Sequence, residues 1–245
     1  MRRRQSIEET MGKEKPTILF YCQHSLGMGH LVRSLALADS LSIVFRVVLL
    51  NGGKLPRRLK VPANIEIINL PPLGFDENSR LVSRDGRRSV ERAQALREKL
   101  ILQIYRSEKP QVVLIELFPF GRKKFANELI PLLEEAKGKS KIVCSLRDIL
   151  VGQRKDQAKF EERAIETANR LFDAILVHSD PDFARLEGSF KTAMPLDVPV
   201  FYTGFVASRS ELLGRAKKQN RVKQIIVSAG GGIVGRRRNA GDLQL

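Results

Sequence analysis

The chain has 245 residues, of which 42% are hydrophobic, and its 43 lysines and arginines against 27 acidic residues give a formal net charge of +16. This length allows one large domain or one domain with part of a second, and the apolar content is enough to bury a core. No apolar stretch reaches the roughly 20 residues that a membrane-spanning helix needs, and no apolar segment follows the basic amino terminus as in a secretory signal.

The positive charges are spread along the chain and interleaved with few aromatic residues, so the sequence does not favour sequence-specific nucleic-acid binding. Adhesion to an anionic membrane face and attraction of a phosphorylated substrate explain the charge equally well. The two cysteines, Cys22 and Cys144, lie in predicted strands without metal-ligand spacing. Buried, reduced thiols favour a cytoplasmic location, and peripheral contact with the inner membrane face stays open.

Short β-rich apolar runs alternate with longer amphipathic stretches, which predicts a parallel sheet covered by helices. After a basic tail at residues 1–15, strands are predicted at 17–23, 43–50, 65–70, 111–117, 141–146 and 174–178. Helices are predicted at 30–41, 87–107, 125–137, 155–171 and 182–187. Six strands with intervening helices are the content of one doubly wound, Rossmann-like α/β domain, which we assign to residues 16–205.

Two segments do not fit this alternation. Residues 70–84 are predicted to be irregular, and a loop of that length is often functional; a plain surface loop and a contact with lipid are the two interpretations. Residues 200–206 are predicted to cross away from the sheet, and a new strand at 224–228 runs into a glycine-rich turn. We therefore interpret residues 206–245 as a linker and the truncated start of a second domain, such as a premature stop or a frameshift would leave.

The sharpest local signal is the loop at residues 24–30, HSLGMGH, between the first strand and the first helix. In open α/β sheets, ligands bind outside the carboxyl ends of the strands, where glycines let the backbone approach closely and a helix amino terminus offers unpaired N–H groups. A tight turn without a ligand is the plain alternative. A dinucleotide-binding turn is disfavoured, because Arg33 stands where that pattern needs its third glycine and the second strand ends without an acidic residue.

Gly27-Met28-Gly29-His30, followed by Arg33, resembles the first loop and helix of the MurG-like family 28 glycosyltransferases. The run at 145–149 and the glycine loop at 227–232 support the resemblance, which covers residues 16–235. It implies the GT-B architecture, in which two Rossmann-like domains face one cleft. The amino-terminal domain would hold a hydroxyl acceptor, which in the family can be lipid-linked, and the other domain a nucleotide-sugar donor, foremost a UDP-sugar.

The resemblance also implies roles for single residues. His30 is expected to be the base that takes the acceptor hydroxyl proton, with helix capping or phosphate contact as the plain alternative, and His24 is the second candidate base. Gly27, Met28, Gly29 and Arg33 would line the acceptor site. The donor diphosphate would lie on the loop that contains Ser228, Gly230, Gly231 and Gly232.

Further polar residues stand at the carboxyl ends of other predicted strands and are expected near the same cleft: Glu116, Arg147, Asp148 and His178. A carboxylate there could assist the histidine or bind an acceptor hydroxyl. A local ion pair of Arg147 with Asp148, and a turn-capping role for His178, are the plain alternatives. No carboxylate pair has the spacing that would hold a metal ion, so the expected transfer uses no metal and no other cofactor.

The sequence thus predicts hexosyl transfer from a nucleotide sugar to a hydroxyl acceptor, with this 245-residue chain expected to be inactive by itself. A non-catalytic acceptor- or ligand-binding remnant stays open as an alternative. So does a sugar-nucleotide epimerase, because the same fold supports several chemistries.

Overall fold

The computed structural model describes residues 14–24, 29–56, 59–147, 156–190 and 194–207. These residues contain nine strands: β1 (Thr17–Cys22), β2 (Arg46–Asn51), β3 (Ile65–Asn69), β4 (Leu73–Phe75), β5 (Leu81–Ser83), β6 (Val112–Glu116), β7 (Lys141–Arg147), β8 (Ala174–His178) and β9 (Val200–Tyr202). Seven of them form one sheet in the order β3-β2-β1-β6-β7-β8-β9, and every neighbouring pair is parallel. This is the doubly wound strand order, so the predicted fold class is confirmed.

Five α-helices lie among the described residues: α1 (Gly29–Leu41), α2 (Val90–Glu108), α3 (Ala126–Ala136), α4 (Gln157–Leu171) and the single turn α5 (Leu186–Ser189). Local sequence sets the ends of α2. The Ser89 hydroxyl accepts a hydrogen bond from the Arg92 backbone N–H at 3.3 Å, and Lys109 adopts a left-handed φ of 43° directly before Pro110. Serine is a favoured amino-terminal cap, and proline does not continue a helix.

Each face of the sheet has its own apolar core. On one face, α1 packs Leu31, Leu35 and Ala38 against alternate residues of the central strands. On the other, α2, α3 and α4 cover the remaining residues of the same strands. All six residues of β1 are buried, because this strand is covered on both faces. That is why the parallel strands appear in the sequence as continuous apolar runs.

Four sequence predictions differ from the structure. The last helix is predicted at 182–187 and lies at Leu186–Ser189. Residues 200–206 do not simply leave the sheet, because Val200–Tyr202 pair with β8 as a seventh strand. The stretch at 70–84 is not irregular throughout, because β4 and β5 form an antiparallel hairpin within it. The second strand begins at Arg46 instead of residue 43, because the turn that ends α1 uses Ile43 and Val44, which are 69% and 58% exposed.

Other predictions lie outside the described residues. These are the tail as far as residue 13, part of the first loop at 25–28, residues 148–155, and the linker and second glycine loop from residue 208 onward. Among the helices that the structure describes, none combines the length and hydrophobicity needed to cross a bilayer.

Candidate active site

At the centre of the sheet β1 and β6 lie side by side, and we refer to the space at their carboxyl ends as the crevice. From β1 the chain continues into α1 on one face, and from β6 it continues into α3 on the other. Such a switch point leaves a gap between the two connections at the carboxyl ends of the strands, which is where open α/β sheets bind ligands. The side chains that gather here are His24, His30, Arg33, Glu116 and Arg122.

His30 and Glu116 form a hydrogen-bonded pair in this crevice. His30 is the second residue of α1 and Glu116 the last of β6, and the imidazole Nδ1 contacts the carboxylate Oε1. The glutamate side chain is fully buried, whereas 25% of the histidine side chain is exposed. The sequence predicted both residues near the cleft, and the structure brings them into direct contact across 86 positions of the chain.

Two arginines flank the buried carboxylate. Arg33 Nη2 lies 3.4 Å from Glu116 Oε1, and Arg122 Nη2 lies 3.5 Å from Oε2. Burial alone would raise the pKa of Glu116, but the hydrogen bond from His30 and the positive charges of Arg122 and Arg33 outweigh it and lower that pKa. The carboxylate is therefore ionised and can only accept hydrogen bonds.

An ionised Glu116 determines which nitrogen of His30 carries the hydrogen. The carboxylate has no proton to donate, so Nδ1–H must be the donor of the His30–Glu116 hydrogen bond. The lone pair of a neutral ring then lies on Nε2, which has no hydrogen-bond partner in the described part of the chain. This is the arrangement that a general base requires.

Several polar atoms around the pair are buried and have no hydrogen-bond partner among the described residues. They are His24 Nε2, Glu116 Oε2, Arg33 Nε, and the Nε and Nη2 atoms of Arg122. Buried polar atoms in proteins are nearly always paired, so this cluster suits a polar partner from outside the described residues. The set contains both donors and acceptors, which matches a hydroxyl group, since a hydroxyl can donate and accept.

His24 is held against the glycines that follow β2. A Cβ on Gly53 would lie 2.5 Å from His24 Nε2 and 2.5 Å from its carbonyl oxygen, so only glycine allows this approach. Asn51 Nδ2 donates to the Gly53 carbonyl at 2.7 Å and fixes the turn. Burial lowers the pKa of His24, and the nearby charge of Arg122 adds to this effect. His24 is consequently a neutral ring in the wall of the crevice.

Arg97, a buried residue of α2, connects the segments that surround the site. Each of the three guanidinium nitrogens of Arg97 has a partner: Nε and Nη2 bind the Glu128 carboxylate at 2.8 and 2.6 Å, and Nη1 binds two backbone carbonyls. Nη2 also donates to Gln23 Oε1 at 2.7 Å, and Gln23 Nε2 in turn donates to the His24 carbonyl at 3.0 Å. Arg97 therefore ties helices α2 and α3 to the loop that carries His24.

His178 ends β8 and therefore lies at the same edge of the sheet as Glu116, but both of its ring nitrogens are already paired. Nε2 is 2.7 Å from Ser145 Oγ and Nδ1 is 2.8 Å from Thr203 Oγ1. Burial lowers the pKa of His178 to about 4, and the positive charge of Arg33 contributes. The ring links the carboxyl ends of β7 and β8 to the residue after β9.

Of the remaining predicted site residues, the structure describes Gly29 and Arg147. Gly29 begins α1, where a Cβ would meet no atom within 4 Å, and Arg147 ends β7. Outside the described residues lie Gly27, Met28, Asp148 and the second glycine loop with Ser228, Gly230, Gly231 and Gly232.

Sequence reasoning did not find Arg122, Gly53 or Arg97. Arg122 had a weak signal, since it follows Glu116 by six positions in a loop after a predicted strand. Gly53 follows a predicted strand in the same way. Arg97 had no signal, because a positive charge within an amphipathic helix is ordinarily exposed.

No protein-family model and no curated protein sequence matches the chain. Among solved structures, it is similar to UGT2 of Phytolacca americana complexed with UDP-2-fluoro-glucose and pterostilbene, with 16% identity and a TM-score of 0.48 over 82% of this chain and 56% of that one. A UDP-glucosyltransferase from Polygonum tinctorium capable of glucosylating indoxyl gives 14% identity and a TM-score of 0.48 over 79% and 54%. TcCGT1 in complex with UDP gives 15% and 0.47 over 86% and 54%. The chain spans about half the length of these structures.

Proposed function

We propose that the chain is the acceptor-binding half of a GT-B sugar transferase of the MurG-like type, with residues 16–205 as the acceptor domain. The observation that carries the proposal is the His30–Glu116 pair at the switch point of the sheet. A histidine that is oriented by a buried carboxylate, and whose Nε2 has no hydrogen-bond partner among the described residues, has what is needed to deprotonate a hydroxyl group.

The proposed chemistry is one displacement. The Nε2 atom of His30 accepts the proton of the acceptor hydroxyl, while the hydroxyl oxygen forms a bond to the anomeric carbon of the donor sugar. The bond from that carbon to the nucleotide diphosphate breaks, and the leaving group keeps the electron pair. Glu116 holds the Nδ1–H tautomer and stabilises the imidazolium that forms, as a buried carboxylate does for a catalytic histidine elsewhere.

The polar atoms around the pair that lack a hydrogen-bond partner within the described part of the chain suit the acceptor, and two of them, Glu116 Oε2 and Arg122 Nη2, also form an ion pair with each other. Glu116 Oε2 can accept from a second hydroxyl, Arg33 and Arg122 can donate, and His24 Nε2 can pair with either kind of group. A compound with several neighbouring hydroxyls would satisfy most of these atoms together, whereas a simple alcohol would leave most of them unpaired. We therefore propose a polyhydroxylated acceptor, such as a sugar.

The finer features of the proposal rest on the sequence resemblance. They are a UDP-sugar as the donor, the loop with Ser228 and Gly230–Gly232 as the site of its diphosphate, a lipid-linked acceptor, and peripheral contact with a membrane. The basic residues of the hairpin region support the last of these, because Arg80 directly precedes β5, Arg84 directly follows it, and Arg87 and Arg88 come shortly after.

The histidines provide the test. The chain contains three histidines, so 15N-histidine spectra give a separate signal for each ring. We would titrate the protein with a panel of sugars and simple alcohols, and then incubate it with UDP-sugars and each binder while following products by mass spectrometry. The proposal expects sugars to shift the His30 and His24 signals more than alcohols do, and any transfer to fall at least about 100-fold in His30→Asn.

The outcomes test the acceptor site and the base separately. Binding at His30 without transfer from any donor would support the acceptor site alone, because an acceptor half without its donor domain and a non-catalytic acceptor-binding protein both give this result. Transfer that persists at the full rate in His30→Asn would contradict His30 as the base. If no hydroxyl compound moves the His30 signal, the crevice is not an acceptor site and the proposal fails.

A further inference from the structure

A second pocket lies between helices α3 and α4, on the far side of the loop that leaves β6. Its volume is about 140 Å³, and its floor is apolar: Phe118, Pro119, Ala126, Ile130, Phe160 and Ala164. Phe118 and Phe160 are largely buried, so the floor belongs to the main core on this face of the sheet. An apolar cavity of this size has room for about one benzene ring.

Two positive charges stand at the rim of the pocket. Lys123 precedes α3 and Arg163 lies on α4, and neither side chain has an ion-pair or hydrogen-bond partner among the described residues. Asp156 and Thr167 complete the rim, and the Thr167 hydroxyl already donates to the Arg163 carbonyl at 2.8 Å. The rim therefore carries a net charge of about +1, from two cations and one carboxylate.

We propose that this pocket binds a small organic anion with an apolar body, such as an aryl or short alkyl carboxylate. The body would bury its carbon atoms against the two phenylalanines, and the carboxylate would pair with Lys123 and Arg163 at the opening. Ligand pockets in proteins combine these two elements, an apolar lining with a few placed polar groups. The proposal does not depend on sugar transfer.

The pocket shares one loop with the crevice. Phe118 and Pro119 line the pocket, while Glu116 before them and Arg122 after them lie in the crevice. A bound anion would therefore contact the loop that follows β6, and this loop places Arg122 beside Glu116. The His30 signal reports on this contact, because His30 is hydrogen-bonded to Glu116.

The experiment uses phenylacetate and hexanoate as probes, with phenylacetamide and hexanamide as neutral counterparts. Calorimetry on the purified chain measures their binding, and 15N-histidine spectra follow His30. We expect saturable binding of the acids and at least about fivefold weaker binding of the amides, since each partly exposed charge contributes only modestly.

Two variants locate the binding. Lys123→Gln combined with Arg163→Gln removes the rim charges and should weaken acid binding at least about fivefold while leaving amide binding unchanged. Ala126→Leu adds a larger side chain to the pocket wall and should weaken acids and amides alike. Lys99→Gln, an exposed lysine on α2 away from the rim, is the matched control and should bind as the wild type does.

Each variant is first checked by urea unfolding, so that a misfolded protein is not taken for a lost site. Equal binding of acid and amide would overturn the proposed charge recognition. Undiminished binding in Ala126→Leu would overturn the proposed location. If neither acid binds saturably to the wild-type chain, the pocket is not a site for this class of ligand.

Discussion

Glu116 occupies an unusual position for a carboxylate, because its side chain is fully buried at the end of a central strand. Burial of a charge is unfavourable unless partners compensate for it. His30, Arg33 and Arg122 do so, and none of the three belongs to β6 itself. The ionised state of Glu116 is therefore a product of the assembled crevice.

Replacing Glu116 with Gln should disturb His30 without removing it. The amide cannot hold the Nδ1–H tautomer as a carboxylate does, so long-range 1H–15N spectra should show hydrogen shifted toward Nε2. Where transfer can be assayed, the rate should fall by about 10²- to 10⁴-fold. Glu66→Gln, at an exposed surface pair with Arg46, is the control and should change neither observation. An unchanged His30 tautomer in Glu116→Gln would contradict the assignment.

Gly53 should tolerate no side chain. An alanine Cβ would meet His24 Nε2 and the His24 carbonyl oxygen at 2.5 Å, so Gly53→Ala must push the β1 loop away. We expect a loss of about 1–3 kcal/mol in the free energy of unfolding and a shifted His24 signal. Gly188→Ala, where a Cβ meets no atom within 4 Å, is the matched control. Equal unfolding free energies for the two variants would show that the loop accommodates the methyl group.

Among the helices and strands, two buried polar side chains, His178 and Arg97, fix the alignment of segments that apolar packing alone would not fix. His178 bridges Ser145 and Thr203 across the ends of three neighbouring strands. Arg97 joins α2 to α3 through Glu128 and to the end of β1 through Tyr21 and Gln23. Both groups are buried and fully paired, and such pairing favours one alignment over its neighbours.

His178 should make the protein less stable in acid. Its pKa is lowered to about 4, so the folded protein binds this proton less readily than the unfolded chain does. The contribution is complete above about pH 6.5 and is lost as the pH falls through 4, which amounts to about 3 kcal/mol. Urea unfolding between pH 7 and 4 should give a steeper decline for the wild type than for His178→Gln. His24 also has a lowered pKa, but it is present in both proteins and so contributes equally to both curves. If the free energy of unfolding falls equally with pH in the two proteins, His178 is not the cause of the acid sensitivity.

The two ion pairs between α2 and α3 show how burial changes the contribution of an ion pair to the free energy of unfolding. Arg97–Glu128 is almost fully buried, whereas Arg106–Glu135 exposes 63% of its arginine. Arg97→Met leaves the Glu128 charge buried without its partner and should cost about 3–5 kcal/mol of unfolding free energy. Arg106→Met should cost less than about 1 kcal/mol. Urea denaturation measures both, and similar losses would show that the buried network is replaceable.

For the molecule as a whole, the sequence predicted what depends on local pattern. The strands at the centre of the sheet were found because burial on both faces makes them continuous apolar runs, as at β1 and β2. Three-residue β9 was not found, because its strand character comes from pairing with β8. Likewise, His30 stands in a recognisable loop, but Arg122 reaches the crevice only through the turn of the loop after β6. Such contacts depend on tertiary structure and leave little trace in sequence.

The distance along the chain between the two partners of the His30–Glu116 hydrogen bond has a consequence for folding. Because 86 positions separate them, the bond cannot exist until the long crossover has returned and β6 has docked beside β1. Pairings between such distant segments form late and slowly. The tautomer of the His30 ring therefore also reports on folding. In a collapsed chain in which β6 has not yet paired with β1, Glu116 would not hold the hydrogen of that ring on Nδ1.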